Sequence, residues 1–210
     1  VTAPNAQGAG PQSTEASATP ATAPSAPRNI TATAGNAHVN LSWIAPLSDG
    51  GTPVTGYNVY RGTSAGGEVL VASIGDVLSY TDPSLTNGQT YYYYVRAVNV
   101  MGVGASSNEA NATPATTPSA PLGLTASPGS TQIILTWSAP ASNGGSSLTG
   151  YNLYRGTSPG GESFLIGLGD VLTYTSTGLT NGQTYYYYVR AVNGVGEGAP
   201  SSEASATPAT

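Results

Sequence analysis

A 94-residue internal repeat constrains this 210-residue chain more than any other feature. Gly56-Tyr57-Asn58-Val59-Tyr60-Arg61-Gly62 returns as Gly150-Tyr151-Asn152-Leu153-Tyr154-Arg155-Gly156, and Asn87–Asn99 returns unchanged at Asn181–Asn193. Residues 21–114 lie over 115–208 without a gap, with 58 identities in 94 positions. A period this long is a whole domain, because solenoid units repeat every ~20–50 residues. Residues 1–20 lie over 95–114 with 11 identities. They read as the tail of a preceding repeat: Val1–Asn5 ends a sixth strand, and residues 9–20 hold a seventh strand and a linker start. Residues 209–210 begin another linker. This alignment predicts a native chain longer than 210 residues on the N-terminal side. The linkers, Thr19–Pro27 and Thr113–Pro121, each carry three prolines among their last eight residues, which favours an extended, semi-rigid spacer.

Within a repeat the apolar residues alternate with period two between Gly, Pro, Asn and Asp punctuation, and no helical period appears. Strands are predicted over 30–34, 39–43, 57–60, 68–74, 78–81, 90–98 and 106–113, with loops at 46–55 and 100–104. Trp43 and its counterpart Trp137 fall on the inward face of the second strand. Tyr91, Tyr93, Val95 and Ala97 share one face of the longest strand. Seven short strands in about 90 residues predict an all-β fold, a tandem pair of seven-stranded antiparallel β-sandwiches over 21–114 and 115–208.

The order of these signals resembles the fibronectin type III family, immunoglobulin-like sandwiches, in the form found in bacterial or archaeal surface and secreted proteins. The residues that carry the resemblance are Trp43, Tyr57-x-Val59 and Leu85-x-Asn87-Gly88-x-x-Tyr91-x-x-x-Val95-x-Ala97. The resemblance implies a tyrosine corner, in which Tyr91 and Tyr185 pin their turns by a hydroxyl–backbone hydrogen bond. Asn87 and Asn181 stand where the family usually has Pro. The Arg-Gly-Asp triplet that some members carry between the last two strands is replaced here by Val100-Met101-Gly102-Val103-Gly104.

Composition removes most chemistry. The chain has no Cys, one His, five Arg and no Lys, ten acids, and a net charge of −5. Disulfides, thiolate sites and a His-based metal centre are excluded. Nothing basic is clustered for nucleic acid, and no apolar run of about 18 residues exists for membrane insertion. His38 is replaced by Gln132 in the second repeat, and no acid pair or triad pattern is visible, so no catalytic residue and no cofactor is assigned. Asp49-Gly50-Gly51 and Asp76 do not supply the converging oxygens calcium needs. The predicted charge pairs are Arg96 with Glu109, Arg190 with Glu203, Arg61 with Glu68 and Arg155 with Glu162. Each would set strand register at the surface.

Two features remain as candidates. Tyr60, Tyr92, Tyr94 and Arg96, repeated as Tyr154, Tyr186, Tyr188 and Arg190, fall on the outward face of neighbouring strands. That face suits ordinary cross-strand pairing or a protein contact, with sugar stacking the least favoured. Asn29, Asn40 and Asn111 head N-x-Ser/Thr triplets that suit N-glycosylation on a secreted protein, and none is kept in the second repeat. The function expected is a structural spacer or adhesion segment of an extracellular array, its partners being other repeats of the same chain, protein partners or neighbouring copies. Accessory modules of a secreted polysaccharide-degrading enzyme, or a surface filament assembling through the Tyr face, are the alternatives.

Overall fold

The computed structural model describes every residue except 2, 10, 11 and 13, and all regular structure among those residues is β. Among those residues no helix is long and apolar enough to cross a membrane. The first repeat forms β3 (Arg28–Ala34), β4 (Val39–Ile44), β5 (Gly56–Gly62), β6 (Val69–Ile74), β7 (Ser79–Asp82), β8 (Tyr91–Asn99), β9 (Gly102–Ser106) and β10 (Ala110–Ala112). The second forms β11 (Leu122–Gly129), β12 (Gln132–Ser138), β13 (Leu148–Gly156), β14 (Ser163–Leu168), β15 (Thr173–Thr177), β16 (Tyr185–Asn193), β17 (Glu197–Pro200) and β18 (Ala204–Ala206). One sheet of the first repeat runs β3-β4-β7. The other runs β10-β8-β5-β6, with β9 also on β8. The second repeat has the same two sheets, β11-β12-β15 and β14-β13-β16-β17, with β18 also on β16.

Alternation decides which side chains meet between the sheets. In β4 Val39, Leu41 and Trp43 are buried while Asn40, Ser42 and Ile44 face out. In β8 Tyr91, Tyr93, Val95 and Ala97 are buried. These pack with Ile30, Tyr57, Val59, Leu85 and Ala112 into one core, and the second repeat builds its equivalent around Trp137. The Trp43 and Tyr57 rings meet edge to face at 5.4 Å, and Trp137 meets Tyr151 at 5.6 Å. Burying such aromatic area between two sheets is the main force holding each sandwich together. Tyr91 is buried, and its hydroxyl oxygen accepts the Thr86 amide at 3.1 Å. Tyr185 is half-buried and accepts from Thr180 at 3.2 Å.

The last strand differs from the expected 106–113. It begins at Gly102, leaving a two-residue turn at Val100-Met101, and it is interrupted at 107–109. There Ser107 turns back on the neighbouring strand: its amide donates to the Val95 carbonyl at 2.9 Å and its Oγ accepts the Val95 amide at 3.0 Å. The interruption moves the charges. Arg96 stands opposite Ser106 and not Glu109, whose carboxylate accepts the Gly66 amide at 3.3 Å. Arg190 pairs with Glu197 at 3.8 Å, not with Glu203. A register shift between Val59 and Tyr60 places Arg61 opposite Val69, and Arg61 turns to Asp82 instead of Glu68. Arg155 likewise leaves Glu162 and donates to Ser176 Oγ at 3.3 Å.

In the N-terminal segment β1 (Pro4–Asn5) pairs with β2 (Gly8–Ala9), matching Pro4 with Ala9 and Asn5 with Gly8. Shifted by 94, these are the pairs Val98 with Val103 and Asn99 with Gly102 at the β8–β9 tip. The seventh strand expected over 9–20 falls partly on residues outside those described, and residues 14–20 carry no strand.

Candidate functional site

The outer face of the larger sheet collects the aromatic candidates. Register places Tyr60 opposite Tyr94, and their rings stack at 4.6 Å and 18°. Tyr154 and Tyr188 repeat this at the same distance and angle. Tyr92 and Tyr186 lie two residues earlier on the same strands, opposite Gly62 and Gly156, and Arg96 and Arg190 two residues later. All eight side chains are half-buried. Each stacked Tyr spends a ring face on its neighbour, which removes that face from a flat ligand such as a sugar ring.

The two copies of this face differ in charge. In the second repeat Glu197 stands where the first has Val103, and Phe164 where it has Leu70. Glu197 accepts from the Tyr154 hydroxyl at 2.8 Å and from Asn152 Nδ2 at 3.1 Å, beside Arg190. Arg190 lies 5.6 Å from the Tyr188 ring centre and 5.8 Å from that of Tyr154. Burial, and then the Glu197 hydrogen bond, push the Tyr154 hydroxyl up to about 12. Phe164 meets Tyr154 edge to face and remains 58% exposed.

At the core's end, Arg61 donates to both Asp82 oxygens at 3.0 Å, and the buried Tyr93 hydroxyl donates to the same carboxylate at 2.9 Å. Burial, reinforced by Asp82, holds the Tyr93 hydroxyl far above its ordinary range. One acid pair recurs in each module. A hydrogen bond with Glu68 raises the Glu109 carboxyl above its ordinary value. Burial and then a hydrogen bond with Glu203 raise Glu162. Among the described residues no group of acids, His or Cys is arranged to hold a metal ion. Asp49 Oδ1 accepts the Gly51 amide at 2.8 Å, and Asn143 does the same for Gly145, so both close loop turns. His38 Nδ1 lies 3.0 Å from the Asn36 carbonyl.

The three sequon asparagines are exposed: Asn29 and Asn40 on the three-stranded sheet and Asn111 opposite Tyr92. The Asn40 side chain is engaged, its oxygen accepting from Thr81 at 2.8 Å. Asn29 has φ 50°, a left-handed conformation that Asn tolerates.

Sequence reasoning overlooked one further asparagine pair and named another, Asn87 and Asn181, without giving it a role. Asn99 Nδ2 donates to the Thr22 carbonyl at 2.8 Å and the Asp49 carbonyl at 2.7 Å, and its oxygen accepts the Met101 amide. Asn193 does the same with Thr116, Asn143 and Val195. Each of these buried side chains ties linker, loop and strand end together. The recurrence of Asn5, Asn99 and Asn193 three residues before Gly was the available signal. Asn87 accepts the amide of Ala37 (φ 57°) at 2.8 Å, and Asn181 that of Thr131 (φ 55°) at 2.9 Å. These side chains fix the turn between the first two strands, a contact Pro cannot make.

The fibronectin type III domain family matches this chain over residues 25–113 and again over 119–207. The chain belongs to that family. Its domains are non-catalytic modules, and they occur in enzymes as well as in other proteins. Exoglucanase B of Cellulomonas fimi is 37% identical over 91% of the chain, which spans 17% of that protein. A Kelch domain-containing protein of Sulfurisphaera tokodaii is 30% identical over 85% of the chain, and 23% of that protein is covered. Amylopullulanase of Thermoanaerobacterium thermosulfurigenes is 40% identical over 45% of the chain and 5% of its own length. The chain thus spans less than a quarter of each of these relatives.

Proposed function

We propose that this chain is a non-catalytic spacer segment of a longer extracellular protein, and that its modules are accessory to a polysaccharide-degrading enzyme. The likeness to segments of an exoglucanase and an amylopullulanase supports the choice of parent. The observation that carries the spacer role is the Asn193 side chain bonded to both Thr116 and Asn143. It makes the linker a structural part of the second module. A linker held in this way transmits position, where a Gly/Ser tether would only limit distance.

The outer tyrosine face fits a protein contact within this reading. Phe164 beside the stacked pair Tyr154/Tyr188 gives the second module an apolar projection with charge next to it. That favours a neighbouring protein over a sugar. A surface array built from many such modules is the second reading, and the same face would be its contact.

Incubating the purified chain with amorphous cellulose and with starch tests the non-catalytic part. No reducing sugar should be released, and turnover abolished by one Asp or Glu substitution would overturn it. Intact mass and peptide mapping of the native protein test the parent. A glycosidase domain on the same polypeptide supports the accessory role, and a surface anchor with no such domain overturns it.

A further inference from the structure

The junction between the two modules contains no free residue. The Gly88 amide donates to the Pro114 carbonyl at 2.8 Å, and the Ala115 amide to the Gly35 carbonyl at 3.1 Å, so the linker is fixed to the first module through Ala115. The next amide, Thr116, donates to Gly144 at 2.8 Å, and Ser119 to Ser142 at 2.9 Å, which fixes it to the second module. Only the dihedral angles around the Ala115–Thr116 peptide remain to turn one module on the other.

Those rotations are opposed by a backbone-to-backbone contact. A Cβ added at Gly88 would lie 3.2 Å from Gly145 Cα. One added at Gly145 would run into the Gly88 nitrogen and come within 2.7 Å of the Asn87 carbonyl carbon and 2.9 Å of Asn87 Cβ. Both glycines have positive φ, +85° and +86°. Each is therefore needed twice, for its own turn and for the closeness of the other.

We propose that the corner Asn87-Gly88 is a socket whose occupant is the double-glycine loop Gly144-Gly145 of the following module. Gly145 is the positioning residue that fixes the angle between the modules. The pair behaves as one rigid unit. This deepens the spacer reading and rests on it.

The chain carries its own controls. Gly51 is the counterpart of Gly145 and has the same φ, +86°, yet an added Cβ there meets no described atom closer than 3.4 Å. Gly182 is the counterpart of Gly88, with φ +82° and no described atom within 4 Å. Alanine at Gly51 or Gly182 therefore imposes the same local strain as at Gly145 or Gly88 without touching the joint.

The chain has no Cys, so Thr63→Cys and Thr157→Cys, both in exposed turns, give one spin label per module. Double electron–electron resonance on the full chain should show one narrow distance. Gly145→Ala should shift or broaden it, and Gly51→Ala should leave it unchanged. Gly88→Ala and Gly182→Ala repeat the comparison from the socket side, should either loop variant fold poorly. A broad distribution in the otherwise unsubstituted chain, or equal effects of Gly145→Ala and Gly51→Ala, would overturn the joint. Either result leaves the non-catalytic reading in place, since that reading stands on the turnover assay.

Discussion

Arg61 and Asp82 form the ion pair at the core's end, and the two partners are not equally exposed. The Asp82 side chain is 4% accessible and that of Arg61 32%. At 3.0 Å and an effective dielectric near 20, the gross attraction is about 5–6 kcal/mol. Much of it offsets the cost of drying the carboxylate. Removing either partner should therefore give different losses. Arg61→Met strands a carboxylate that water cannot reach, and breaking a buried pair in this way costs about 3–5 kcal/mol. Asp82→Ser leaves an arginine that can rehydrate. It is the second module's own solution, where Arg155 donates to Ser176. One charged hydrogen bond is weakened, so about 1–2 kcal/mol is expected.

Guanidinium unfolding followed by Trp43 fluorescence measures both variants in a shared Trp137→Phe background. Arg61→Met should lose at least about twice what Asp82→Ser loses. An Arg61→Met loss below that of Asp82→Ser would refute the idea that burial of the carboxylate governs this site.

The tyrosine corners predict that Tyr91→Phe and Tyr185→Phe each cost about 0.5–1.5 kcal/mol in urea unfolding, the worth of one hydrogen bond. Glu197→Val, which installs the first module's residue, should lower the Tyr154 hydroxyl from about 12 toward 10 in a spectrophotometric titration, burial keeping it above the ordinary value. The raised carboxyls Glu109 and Glu162 contribute stability that is present below pH 4.5 and lost as pH rises through their folded values. Glu203→Gln should accordingly raise the thermal midpoint at pH 7 and make little difference at pH 4. A variant no more stable than the parent at pH 7 would show that the two carboxylates do not repel.

The sandwich was legible because its signal is local. Leu41-x-Trp43 can bury both side chains only by facing one way, whatever the rest of the chain does. Charge pairing was misjudged because counting residues outward from a turn assumes an unbroken ladder. A register shift at Val59/Tyr60 and an interruption at 107–109 each displace the partner. Asp82 lies 21 residues from Arg61 and on the opposite sheet, so no turn count leads to it. The joint was hidden for another reason. Gly51 and Gly145 are the same residue in the same loop with the same φ, and only the presence of a neighbouring corner separates their roles.

The repeat's differences are as informative as its identities. Arg61 and Arg155 are shared, but Asp82 becomes Ser176. Arg96 and Arg190 are shared, but Val103 becomes Glu197. The first module places a carboxylate against the arginine at its core's end, and the second places one against the arginine on its outer face. Because a lone buried Asp is costly, while Arg61 and Arg190 stay 32% accessible and can rehydrate, the arginines can stay while the acid moves. The acid's position then sets each module's character. The first gains a fastened core end. The second gains, beside the exposed Phe164, an outer face whose Tyr154, Arg190 and Asn152 are fixed in place by Glu197. A contact surface needs that fixing more than a spacer does, so a protein partner of this pair should meet the second module first.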